Sequence, residues 1–251
     1  MSSTDAAARL AREAFEELLA TELPTVGATL PGGYAMLAER YVALLLDANA
    51  RLNLTRVVEP DAVARLHLLD AVAALPILDA SPPGRALDLG TGGGVPGILL
   101  AAARPGVRWT LVDSVHKKVA EVGAFATALG LANVEALAGR AEALGRDPAR
   151  REAYDLVTAR ACAALPVLAE YALPLLRAGG TLLAWKGAIG ADELRAGSEA
   201  ASLLGGGEPR VRATEAASLG DHRFVVVRKE RPTPRRYPRR PGEPSRRPLA
   251  S

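Results

Sequence analysis

The feature that most constrains this chain is a short apolar run that meets a glycine-dense turn: Leu87-Asp88-Leu89-Gly90-Thr91-Gly92-Gly93-Gly94-Val95-Pro96-Gly97. In an open parallel sheet, ligands bind beyond the carboxyl ends of the strands, where such a turn brings backbone N–H groups close to them. Glycine permits positive φ and close approach, and Pro96 suits the first turn of a following helix. The surrounding pattern agrees. Residues 85–89, 108–112, 134–137, 154–158 and 181–185 are short apolar runs, with helical periodicity over 96–103, 115–129 and 163–176 between them. Strands alternating with helices imply an α/β fold with a mostly parallel sheet covered on both faces. A late strand at 224–227 and a weaker one at 208–212 are expected to pair antiparallel, for about seven strands in all. Before Pro83 the pattern is helical, over 8–19, 34–46 and 63–75. We therefore expect an N-terminal helical extension over 1–83, a ligand-binding core over 84–229 and a tail over 230–251.

The rest of the composition narrows the class. With a single cysteine, Cys162, the chain forms no intrachain disulfide and has no cysteine cluster for zinc, which points to the cytoplasm. The charged N-terminal stretch reads as neither a signal peptide nor a membrane span. Net charge is only +3, yet residues 228–251 hold nine basic side chains against two acidic ones. A basic end on a slightly acidic body suggests a polyanionic partner, or a solvated tail. Six prolines from Pro232 to Pro248 favour extended segments that order on RNA.

Two ligands fit the glycine turn. Gly92, Gly94 and Gly97 satisfy a dinucleotide fingerprint, with Asp113 at a suitable distance for a ribose. Asp88 weighs against a pyrophosphate and for S-adenosylmethionine, which carries an ammonium and a sulfonium instead. The loop also begins directly after the strand, too early for the dinucleotide register. Asp113, ending the second strand, is placed to accept ribose hydroxyls, and residues 139–142 to lie against the adenine. After the fourth strand, Thr158-Ala159-Arg160-Ala161-Cys162 shows no Asn-Pro-Pro-Tyr clamp for an exocyclic amine, and one cysteine disfavours a two-thiol mechanism. An acceptor such as guanine N7, with its own lone pair, needs neither a protein nucleophile nor a base.

Together with Asn53-Leu54-Thr55, His67-Leu68-Leu69-Asp70, Asp113-Ser114 with Lys117-Lys118, Arg160-Ala161, Lys186-Gly187 and the terminal Tyr237-Pro238-Arg239-Arg240-Pro241-Gly242, the chain resembles the small-subunit ribosomal RNA methyltransferase G family, also called glucose-inhibited division protein B. The resemblance implies a doubly wound, Rossmann-like class I methyltransferase that uses S-adenosylmethionine to methylate N7 of a guanine in 16S rRNA. It implies cofactor contacts at Gly90, Val95, Ala141, Glu142 and Arg160, to which the loop and ribose arguments add Asp88, Gly92 and Asp113. Arg160 is expected to position the acceptor. Asn53, His67, Lys117, Lys118, Lys186, Arg235, Arg236, Arg239 and Arg240 are expected to meet RNA, with 16S rRNA or the small ribosomal subunit as partner and the protein a monomer. The sequence departs from the family at Ala71, where serine is usual, and at Val95, where an aromatic is common. A nucleotide-dependent oxidoreductase and a non-catalytic RNA or ribosome-assembly binder are the competing classes.

Overall fold

The computed structural model describes residues 2–250. Helices α1 (Ser3–Val26) and α2 (Tyr34–Leu52) come first. A capping box between Ser2 and Asp5 opens α1, and Gly27, at φ 70°, closes it. Ala8, Ala11 and Phe15 are spaced three and four residues apart and form a buried stripe on α1. The short α3 (Pro60–Val63) runs into a π-helical stretch, Ala64–Leu69, and then into α4 (Asp70–Val72) and α5 (Leu75–Asp79).

The α/β core alternates β1 (Arg85–Leu89), α6 (Gly97–Ala103), β2 (Arg108–Asp113), α7 (His116–Ala128), β3 (Val134–Ala138), α8 (Ala141–Leu144), β4 (Tyr154–Arg160), α9 (Leu165–Ala172), β5 (Leu176–Lys186), α10 (Ala191–Leu203), β6 (Arg210–Ala213) and β7 (Arg223–Arg228). The strands form one sheet in the order β3-β2-β1-β4-β5-β7-β6, with β7 antiparallel to both neighbours. The expected seven strands and late antiparallel pairing are present. Helix α10 was not anticipated, because its buried face is only Ala196, Gly197, Ala200 and Ala201, too small a contrast to register as a stripe. Strand order reverses between β1 and β4, so their carboxyl ends part and leave a crevice there.

One buried layer joins the sheet to α6, α7 and the N-terminal helices; the other joins it to α8, α9, α10 and Tyr237. Tyr237 marks the main correction to the sequence reading. Residues 230–250, expected as an extended tail ordering on RNA, lie packed against the body, with Thr233, Tyr237 and Pro244 buried and a short helix α11 (Glu243–Arg246) near the end. Arg151 donates to the carbonyls of Thr233 (2.7 Å) and Tyr237 (2.8 Å), and Arg146 to that of Pro238 (2.9 Å). These bonds supply partners for backbone groups that a proline-rich strand cannot pair within itself. Arg239, expected on RNA, instead forms a bidentate pair with buried Glu170 of α9, at 2.6 Å from Nη2 to Oε2. Arg235, Arg236 and Arg240 remain exposed.

Candidate active site

Two cavities lie side by side in the crevice at the carboxyl ends of β1 and β4. The first, of about 470 Å³, is lined by the glycine loop from Gly90 to Gly93, by Val95, by Asp113 and Lys118, and by residues 139–142 and Tyr171. The loop's glycines divide the labour. Gly90 and Gly92 have positive φ, 72° and 58°, and border the cavity. Gly93 is needed for packing: a Cβ there would stand 2.6 Å from Leu45 Cδ1 of α2. At Gly97 a Cβ would meet Leu111 Cδ2 at 2.4 Å. The hydroxyl of Tyr41, also on α2, donates to the Gly93 carbonyl at 2.9 Å. The back of the loop therefore rests on the N-terminal helices.

Asp113 is fixed from both sides. Its Oδ2 accepts from the Gly92 N–H (3.1 Å) and its Oδ1 from the Val115 N–H (2.9 Å), leaving each oxygen a further lone pair at the cavity wall. Glu142 contributes a second carboxylate to this wall. Asp88 does not reach the wall. It is buried, accepts from Thr158 Oγ1 (2.7 Å) and the Gly97 N–H (3.2 Å), and so pins the loop to β4 and α6. Burial raises its pKa, against which these hydrogen bonds act. The expectation that Asp88 faces the ligand is corrected to a positioning role: along β1 it alternates with Leu87 and Leu89, and its face lies under α6.

The second cavity, of about 530 Å³, shares Thr55, His67, Arg160, Ala161 and Cys162 with the first and adds an apolar floor from Val57, Leu168 and Trp185. Its polar side is a chain of side chains. Arg160 Nη1 donates to the Leu66 carbonyl (2.6 Å) and to Asp70 Oδ2 (3.3 Å), and Nη2 lies 3.3 Å from His67 Nδ1. His67 Nδ1 also lies 3.1 Å from the Leu66 carbonyl, so this nitrogen stands between a donor and an acceptor, and Nε2 faces Thr55 Oγ1 at 2.9 Å. Burial, and then the Arg160 charge, lowers the His67 pKa to about 4, so the ring is neutral. Asp70 Oδ1 meets His222 Nδ1 at 3.1 Å, and the Asp70 carbonyl accepts from Trp185 Nε1 at 3.1 Å. The π-helical stretch brings Leu66, His67 and Asp70 to bear on one guanidinium. Ala161, beside Arg160, holds φ at 52°, a strained value for a residue with a Cβ.

Of the other predicted site residues, Gly90, Gly92, Val95, Ala141 and Glu142 line the first cavity, and Arg160 lines both. His67 is buried as the partner of Arg160 and borders both cavities. Lys186 borders the second cavity but spends its charge on Glu193 (2.7 Å) and on the Ala163 carbonyl (2.9 Å). Lys117 is exposed, Lys118 stands in the first cavity's wall, and Asn53 closes α2 in the left-handed region, at φ 49°, away from both cavities. His222 and Trp185 were missed. Asp70, a carboxylate inside Leu68-Leu69-Asp70-Ala71-Val72, was the available signal that buried partners existed.

The donor set of the first cavity suits a cationic nucleoside: two carboxylates in its wall, an open glycine face, and a volume in the range of about 300–1,000 Å³ usual for small-molecule sites.

The family model for rRNA small subunit methyltransferase G matches residues 35–221. The chain belongs to that family. Relatives of the same description include one from Deinococcus deserti, 47% identical over 92% of this chain and 96% of its own length, and one from Moorella thermoacetica, 40% identical over 93% and 98%. Among solved structures, the fold is shared with the CMeT domain of the citrinin polyketide synthase (TM-score 0.56, 12% identity, 87% of this chain and 69% of that one). It is shared too with an O-methyltransferase from Bacillus cereus (TM-score 0.52, 19% identity, 86% and 100%). The chain is thus a Rossmann-like methyltransferase, and the oxidoreductase and non-catalytic readings fall away.

Proposed function

We propose that the first cavity holds S-adenosylmethionine, the cofactor of this methyltransferase family, and that the second receives the guanine of 16S rRNA, numbered 527, whose N7 takes the methyl group. The observation that carries this reading is the shared wall: Thr55, His67, Arg160, Ala161 and Cys162 border both cavities, so two ligands would meet there. Asp113 would accept the ribose hydroxyls, and residues 139–142 would border the adenine. The Asp113 and Glu142 carboxylates favour the cofactor's cations.

Bound adenosylmethionine supplies an electrophilic methyl on its sulfonium. The protein's own part is to orient and to exclude water. Guanine N7 presents a lone pair at neutral pH, so no base is required, and alignment of acceptor with donor accounts for most of the rate, up to about 7–11 kcal/mol. The Cys162 thiol, pushed up to about 11 by burial of its sulfur and by Asp88 and Asp113 nearby, stays protonated although the residue opens onto the cavity, and it is no nucleophile. A paired, stacked guanine cannot reach the second cavity, so the base enters looped out or flipped. Trp185 and Leu168 give it an apolar floor. Arg160 positions the acceptor while holding His67 and Asp70 in place.

Exposed Lys117, Arg235, Arg236 and Arg240 are assigned to RNA phosphates, and exposed Asn53 to the RNA backbone away from the cavities. The protein acts as a cytoplasmic monomer on rRNA or the small subunit, with residues 84–229 as its methyltransferase core and residues 2–83 packed on it. No helix among the described residues is long and apolar enough to cross a membrane.

Mass spectrometry of nucleosides from the 16S rRNA fragment tests the reading. Cells without the protein should lack one 7-methylguanosine, the wild-type chain should restore it and an Arg160→Ala chain should not. An unchanged fragment would sink the acceptor assignment.

A further inference from the structure

The packed C-terminal segment reaches the cofactor cavity. Glu142 is buried, at 2% exposure, yet stands in the cavity wall. Its Oε1 accepts from the backbone N–H of Gly242 at 2.7 Å, whereas Oε2 accepts no hydrogen bond from the described residues. Gly242 makes this contact from the left-handed region, at φ 80°, as the residue that opens α11. It is held there from three residues away. The Arg239 guanidinium makes three hydrogen bonds to the two oxygens of Glu170, and the Arg239 N–H adds a fourth, to Oε1 at 2.7 Å. Glu170 sits on α9, one residue from Tyr171, which lines the same cavity.

We propose that the segment from Arg239 to Gly242 is a positioning element of the cofactor site: by engaging Glu142 Oε1 it turns Oε2 toward the cavity, where that oxygen accepts from the exocyclic amine of the adenine. The Arg239–Glu170 pair is the latch that holds Gly242 in place. A carboxylate with one oxygen already bonded is rotationally fixed, and a fixed acceptor discriminates an amine from a carbonyl at the purine 6-position. Glu142 touches the ligand; Arg239 acts only through it. This rests on the reading that the first cavity binds the adenosyl cofactor.

The test is calorimetric and needs no turnover. Two probes are titrated into the full chain: S-adenosylhomocysteine, which carries the amine, and S-inosylhomocysteine, which carries a carbonyl instead. The wild type should prefer the first by about tenfold or more, the equivalent of about 1.4 kcal/mol. Arg239→Ala should bring the ratio near one, as should Glu170→Gln, which leaves no bare buried charge behind. Glu142→Gln should reverse the preference, because the Gln oxygen still takes the Gly242 N–H and its amide N–H₂ then faces the base. Adding Arg239→Ala to Glu142→Gln should abolish the reversal. A latch variant that weakens both probes equally, or neither, would overturn the proposal, as would a reversal that survives in the double variant. A wild-type chain that binds neither probe would overturn the cofactor reading itself, and a wild type that binds both alike would overturn only the latch.

Discussion

The two cavities are built on different principles. In the first, the cavity-facing carboxylates are held by main chain: Asp113 by the N–H groups of Gly92 and Val115, and Glu142 by that of Gly242. In the second, side chains hold one another, from Thr55 through His67 and Arg160 to Asp70 and His222, across residues far apart in sequence. Backbone-held groups are placed once the fold forms, and losing one should affect its ligand and little else. A side-chain network fails as a unit, since each member removed leaves buried partners unsatisfied.

Arg160→Ala gives the largest effect expected. Asp70, with a side chain 2% exposed, loses its cationic partner, and stability in urea should drop by about 3–5 kcal/mol along with methylation. A fully stable Arg160→Ala chain would break the distinction between the cavities.

The histidines of the network give a pH signature of about 3 kcal/mol. The folded pKa of His67, about 4 against an ordinary 6.5, means that the unfolded chain binds the proton first. Its contribution is complete above pH 6.5 and is lost as pH falls toward 4, at about 1.4 kcal/mol per unit. His222 works in the opposite direction: Asp70 raises its pKa, so its smaller contribution is present at low pH and is lost as pH rises through the folded value. Comparing urea midpoints of the wild type and His67→Gln from pH 7 to 4 should show the wild type losing its extra stability over that window. Parallel curves would mean that His67 titrates normally.

Asp113→Asn belongs to the other cavity and should behave differently. Affinity for S-adenosylhomocysteine should fall by about 1.5–3 kcal/mol, roughly ten- to a hundredfold, while the urea midpoint in the absence of ligand barely moves. A large loss of stability there would erase the contrast.

The same contrast explains what could be read from the sequence. Asp113, Gly90, Gly92 and Ala141 are placed by local geometry at strand ends, and strand pattern plus glycine spacing finds them. Asp88 lay in the same motif, but its direction depends on which helix covers which face of β1, and period-two alternation does not encode that. The π-helical register of Ala64–Leu69 carries the same apolar residues as an α-helix would, so it left no trace. His222 was invisible because its partner, Asp70, is 152 residues away. The C-terminal segment misled for a similar reason. Proline and arginine composition suggested an extended basic tail, but Arg239, Thr233 and Tyr237 are anchored by Glu170, Glu152 and Arg151 from elements that composition cannot join to it.

The meeting of α2 with the glycine loop has a bearing on how this enzyme can be re-engineered. A methyl group of Leu45 occupies the space a side chain at position 93 would need, and the phenol of Tyr41 completes the carbonyl of that residue. The first eighty residues are therefore no detachable specificity module. A chimaera that kept this sheet and borrowed another protein's leading helices would inherit a loop with nothing behind it, and would have to supply its own Leu45 and Tyr41 before it bound any cofactor.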